Sequence, residues 1–97
     1  MTKKDIINKV SKQTGIDQED VRLVFEAFMI TVKQSMIEGK NIYIRGFGSF
    51  INKKKSKKIA RNISTNTAMV IEPHYYPTFK PSKKFGKKVK QSLIVRD

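Results

Sequence analysis

Apolar positions recur with two different periods along this chain, and the change falls just after residue 40. Up to that point the spacing is helical. Ile6, Ile7 and Val10 form one apolar face, preceded by Thr2 and Asp5 in an approximate capping box and stopped by Gly15. Asp17 then caps a second predicted helix, with Glu19 and Asp20 in the first turn where the helix dipole favours negative charge. That helix runs to about Glu38–Gly39. Val21, Val24, Phe25, Phe28, Val32 and Met36 share a face, and Leu23, Ala27, Ile30 and Ile37 widen it beyond one stripe. A short helix and a small sheet cannot cover so broad a face, so part of it is expected to meet a second copy of the chain; a wholly intramolecular core is the alternative.

From Asn41 the period is two. Ile42 and Ile44 alternate with Tyr43 and Arg45, the pattern of a half-buried strand. Gly46 and Gly48 bend the chain, and Phe47 and Phe50 pin the bend into the core. A second strand begins near Ser49 and, if unbroken, places Ile51, Lys53, Lys55, Lys57, Ile59 and Arg61 on one face. Asn62 to Asn66 is a predicted turn, and Thr67 to Ile71 the return strand. Ten residues of such a hairpin reach roughly 33 Å, and its outer half has little apolar surface to bury, so it is read as a projecting arm. Tyr75 to Pro81 is a further extended piece, held at a sheet edge by its prolines, with Phe79 facing the core and one of Tyr75 and Tyr76 facing solvent. Ser82 caps a last helix that carries Phe85, Val89 and Leu93. The 97 residues form one domain: a helical body over 1–40, the sheet and arm over 41–81 (the arm about 52–72), and a basic helix and tail over 82–97.

Charge turns this outline into a functional reading. The formal charge is +13, and the only acid between Gly39 and Arg96 is Glu72. Lys53, Lys54, Lys55, Lys57 and Lys58 fill five of six consecutive positions. Like charges this dense repel unless an anion lies alongside, and a nucleic-acid backbone matches both the length and the spacing. An acidic membrane surface or protein partner is the weaker alternative. There is no cysteine, which excludes disulfides and thiolate metal sites and fits a reducing, cytoplasmic setting. The most apolar window, Leu23 to Val32, is broken by Glu26 and too short to span a bilayer. His74 is the only histidine and has no cluster of ligands, no carboxylates are paired for acid–base work, and no glycine-rich nucleotide loop exists. No enzyme activity, catalytic residue, metal, cofactor or small-molecule substrate is therefore expected.

Gly46-Phe47-Gly48-Ser49-Phe50, Arg61-Asn62 and Phe79-Lys80-Pro81 before a basic helix occur here in an order and spacing that resembles the HU/IHF family of bacterial histone-like, DNA-bending proteins. The likeness covers nearly the whole chain without gaps. It implies an α+β fold: an intertwined homodimer with two N-terminal helices, a three-stranded antiparallel sheet with a long β-hairpin arm, and a short C-terminal helix. The dimer core would include Phe25, Phe28, Val32, Phe47, Phe50 and Phe79. The resemblance also implies an architectural role in the nucleoid, in which two arms wrap and bend double-stranded DNA through its minor groove. Lys53, Lys55, Lys57, Lys58 and Arg61 on the arm, with Lys80, Lys83, Lys84 and Lys87 on the body, would track phosphates, joined by the amides at Gly46 and Gly48. Arg61 and Asn62 would enter the groove. The family's usual tip proline is here Ile63, an apolar side chain still suited to wedging between base pairs. Asn66 stands where a glycine commonly closes the tip, and Ile71-Glu72 where the family has Ile-Pro.

The sequence leaves open a homodimer or a heterodimer with a paralogue, and a site-preferring rather than sequence-independent bender. Among rivals, a helix-turn-helix reader is opposed by Asp17, Glu19 and Asp20 at the start of its second helix. A basic RNA-binding β-domain would want exposed aromatics on the arm, which has none. A scaffold for acidic protein tails would be indifferent to distorted DNA.

Overall fold

A computed structural model of the chain describes residues 1–62 and 67–96. The elements, in chain order, are α1 (Lys3–Thr14), α2 (Gln18–Ile37), β1 (Ile42–Ile44), β2 (Gly48–Lys55), β3 (Lys58–Asn62), β4 (Thr67–Ile71), β5 (His74–Pro81) and α3 (Lys83–Ser92). They fall into two compact units, Met1–Ser35 and Met36–Asp97.

In the first unit the helix ends follow the sequence closely. The Asp5 amide donates to Thr2 Oγ1, and the Thr2 amide donates to Asp5 Oδ2 at 2.9 Å, closing the predicted capping box. Gly15 ends α1 in the left-handed region at φ 74°, and its amide donates to the Ser11 carbonyl. Asp17 Oδ2 accepts from the Glu19 amide at 3.1 Å at the start of α2. Among the described residues the buried apolar side chains are Ile7 and Val21. On α2, Leu23 is 63% exposed, Val24 69% and Phe28 48%, so the wide apolar face lies uncovered in the single chain.

The second unit begins in the last turn of α2. Gly39, at φ 86°, breaks the helix, and Asn52 ties the break to the sheet. The Asn52 side-chain amide donates to the Met36 carbonyl, and its backbone amide donates to Asn41 Oδ1, both at 3.0 Å. The sheet is antiparallel in the order β1-β2-β5, so the proline-bearing β5 sits at an edge. Gly46 takes φ 81° in the turn between β1 and β2. Gly48 has a different reason to be glycine: a Cβ there would lie 2.6 Å from both the Lys80 carbonyl oxygen and Phe79 Cζ. Four rings gather beside this turn. Phe79 lies 5.0 Å from Phe47 and 5.1 Å from Phe50, and Phe85 of α3 stacks on Phe47 at 5.8 Å. The cluster joins bend, sheet and last helix, though Phe47 remains 45% exposed and Phe79 38%.

One expectation needs correction. The strand read as unbroken from Ser49 to Arg61 is divided at Ser56–Lys57, and its partners are two. β2 pairs with β5 along its whole length, and β3 pairs with β4 in a separate two-stranded sheet. Lys55 faces His74 and Lys58 faces Ile71, so three residues advance on one side as three retreat on the other. The register does not slip; the ladder is merely interrupted opposite Glu72 and Pro73. Proline has no amide hydrogen to donate, which accounts for a gap at this point.

Candidate nucleic-acid interface

Because side chains alternate across a strand, the register sorts the cations of the second unit onto two faces. Ser49, Ile51, Lys53 and Lys55 of β2 lie opposite Lys80, Thr78, Tyr76 and His74 of β5 on one face. Tyr43 of β1, opposite Ser49, joins them. The Lys55 ammonium sits 5.4 Å from the Tyr76 ring centroid, a cation–π contact that holds the lysine stem against the sheet. Tyr75 points to the other face and is 69% exposed, as expected of one member of that pair.

At the inner end of this cationic face is an open cleft of about 480 Å³. Arg45, Gly46, Ser49, Lys80, Ser82 and Lys83 are among its lining residues. Ser82 organises it. Its hydroxyl accepts from the Phe85 amide as the cap of α3 and donates to the Gly46 carbonyl at 3.2 Å, while its own amide donates to the Phe47 carbonyl. The start of α3 is thereby fixed against the glycine turn, with three cations around it. A helix N-terminus presents free amides and the positive end of its dipole, a setting suited to a phosphate.

The predicted residues are thus partly brought together. Gly46, Gly48, Lys80 and Lys83 line the cleft, and Lys53 and Lys55 continue from it along the same face. Lys57 lies in the interruption, and Lys58, opposite Ile71, falls on the other face by register. Lys84 and Lys87 are exposed on α3 and outside the cleft lining. Arg61 and Asn62 are placed by backbone pairing with Ala68 and Thr67. Ile63 lies outside the described residues. Sequence reasoning passed over Arg45, Tyr43 and Ser82 as ligand-facing groups. The alternation of Tyr43 and Arg45 with the half-buried Ile42 and Ile44 is the available signal for the first two.

Charge balance separates the two units. In Met1–Ser35, Lys3 pairs with Glu26 at 3.0 Å, and Arg22 bridges Glu19 and Glu26. Hydrogen bonding to Arg22 lowers the Glu19 pKa, and hydrogen bonding to Lys3 lowers that of Glu26. Asp5 is lowered by the Thr2 backbone amide. Among the described residues, no cation from residue 49 onward takes part in an ion pair. No group of three or more metal-ligating side chains occurs among the described residues, and no helix there is long and apolar enough to cross a membrane.

Comparison with known proteins fits this geometry. Residues 1–90 match the sequence profile of a family described as bacterial DNA-binding protein. The chain is 34% identical over 90 residues to the DNA-binding protein HU of Thermotoga maritima, covering 93% of this chain and 100% of that one. It is also 34% identical to the integration host factor subunit beta of Marinobacter nauticus, over 96% of each. Among solved structures, an Anabaena HU–DNA cocrystal structure superposes with a TM-score of 0.86 at 27% identity, covering 92% of this chain and 97% of that one. HU from Thermotoga maritima superposes with a TM-score of 0.65 at 28% identity, over 92% and 98%.

Proposed function

The chain belongs to the bacterial DNA-binding protein family, and from that premise we propose that two copies pair and hold a bent DNA duplex between their β-arms. The observation that carries this reading is the cationic face that runs from the Arg45–Lys80–Lys83 cleft through Lys53 and Lys55, none of whose cations is ion-paired among the described residues. Pairing is supported by the scarcity of core: the two buried apolar side chains among the described residues cannot stabilise such a chain by themselves. The exposed faces carrying Phe28 and, in the other unit, Phe47 and Phe79 supply the missing burial when two copies meet.

Affinity in this reading comes mostly from counterion release. With about 8 phosphates engaged per dimer, log K falls against log salt with a slope near −7. Lys57, Lys58, Lys84 and Lys87 add phosphate contacts outside the cleft. Arg61 and Asn62 read the minor groove, which separates A·T from G·C and little more, so sequence preference is weak. Ile63 unstacks one base step per arm at a cost of a few kcal/mol, offset by the contacts bent DNA makes with the body. The protein works in the nucleoid as a shape reader and folder of DNA, without catalysis. A site-preferring bender is the second reading, favoured by an integration host factor subunit being as similar as HU; selection from a pool of random duplexes separates the two.

The test titrates straight, nicked and pre-bent duplexes at two salt concentrations, read by binding and by energy transfer between the duplex ends. Tighter binding to distorted DNA and shortened end-to-end distances are expected. Ile63→Ala keeps most of the affinity and loses part of the bend. Equal affinity for all three duplexes, with their contour unchanged, defeats the proposal.

A further inference from the structure

The one histidine of the chain stands at the outer end of the β2–β5 ladder, on the cationic face, directly opposite Lys55. Its ring is exposed and tilted against Tyr76, with centroids 6.4 Å apart. His74 Nδ1 lies 3.0 Å from the carbonyl oxygen of Glu72. A carbonyl can only accept, so this contact is a hydrogen bond in the tautomer whose Nδ1 carries the hydrogen and donates. That tautomer leaves Nε2 over. In the neutral ring Nε2 holds a lone pair, and among the described residues nothing donates to it. Other groups with a bearing on this ring are Lys55 and, on the diagonal, Lys53 of β2, with Tyr76 on its own strand. Lys57 and Glu72 lie in the adjoining interruption.

We propose that His74 is a proton-gated phosphate ligand. The neutral ring presents a lone pair at Nε2, which a phosphate oxygen repels. The imidazolium instead presents a donor and a further positive charge next to Lys53 and Lys55. Protonation and DNA binding are then linked, each favouring the other, and the grip at the arm's base strengthens as pH falls. This inference rests on the DNA-binding reading above and adds a ligand and its condition to the same face.

The test measures the dissociation constant for a nicked duplex between about pH 8 and about pH 5.5 at fixed salt. Affinity of the natural protein rises across that range by about tenfold for each His74 engaged, about a hundredfold for a dimer that engages both. His74→Gln, which still donates to a carbonyl but never gains charge, shows a flat profile at the weaker level. His74→Lys is flat at the tighter level. Calorimetry of the natural protein in two buffers of different ionisation enthalpy supplies a readout that needs no variant, with net proton uptake on binding at the acid end of that range. Tight binding that is independent of pH, or parallel profiles for the natural chain and His74→Gln, overturns the role of His74 and leaves the DNA-binding reading intact. Failure to bind any duplex at either pH overturns both.

Discussion

The helical unit and the sheet unit treat charge in opposite ways. Residues 1–35 carry six Lys/Arg and five Asp/Glu, whereas residues 36–97 carry fifteen and three. In the first, Lys3, Arg22, Glu19 and Glu26 neutralise one another, and Asp5 serves a helix cap. In the second, Lys53, Lys55 and Lys80 share one face of a sheet and Lys83 opens the helix beside it, and among the described residues none of them is ion-paired. Surface ion pairs add little to stability, about 0–1 kcal/mol each, so the contrast matters less for folding than for partners. One unit is nearly neutral in net charge. The other carries a large surplus of positive charge that suits an external polyanion.

The contrast can be broken or sharpened experimentally. The largest effect is expected from Gly48→Ala, which drives a methyl group into the Lys80 carbonyl and the Phe79 ring. A cost on the order of 3 kcal/mol is expected, because backbone cannot move aside as a flexible side chain does. A lowered denaturation midpoint checks it, and the whole cationic face should lose its geometry with it. Next is the triple change of Lys53, Lys55 and Lys57 to Ala. It should flatten the plot of log K against log salt by roughly 2–3 units while leaving the unfolding midpoint nearly unchanged. An unaltered slope would remove the arm from the interface. Replacing one of the helical unit's cations, Lys3→Ala, serves as the control and should leave the slope alone, since Lys3 is already paired with Glu26.

A smaller effect is expected from Pro73→Thr. It restores an amide hydrogen opposite Ser56 and lets the two ladders join, a gain of about 1 kcal/mol or less. Slower hydrogen exchange over residues 56–58 would report it. The smallest effect is acid sensitivity of the helical unit. The folded pKa values of Asp5, Glu19 and Glu26 lie below their ordinary values of 3.8, 4.5 and 4.5. Stability from these groups is therefore complete above the ordinary values and is lost as pH falls through the lowered ones. Asp5→Asn should blunt part of that loss, followed as helical circular dichroism between about pH 5 and about pH 2.

What the sequence made legible is what a few neighbouring residues decide. Thr2 with Asp5, Gly15, Asp17 and Ser82 each satisfy or release backbone groups within one turn, and all act where expected. Alternation placed Lys53 and Lys55 together for the same reason. The break at Ser56–Lys57 was not visible, because its cause is Pro73, sixteen or more residues away on the opposite strand. The same holds for β2, whose partner is β5 rather than the return strand alone. The cleft was missed in part because Arg45, Lys80 and Ser82 converge only once that register is set. Ser82 is the cap its sequence position predicts. Its second bond, to Gly46, depends on a turn thirty-six positions earlier.

The near absence of an interior, two buried apolar side chains among the described residues, has a consequence for how such a protein is kept and exchanged. Folding and association become one event governed by mass action, so dilution alone should unfold it and its melting temperature should climb with concentration. Swapping one subunit for another then requires both to melt, which makes the composition of each pair a record of what was synthesised together.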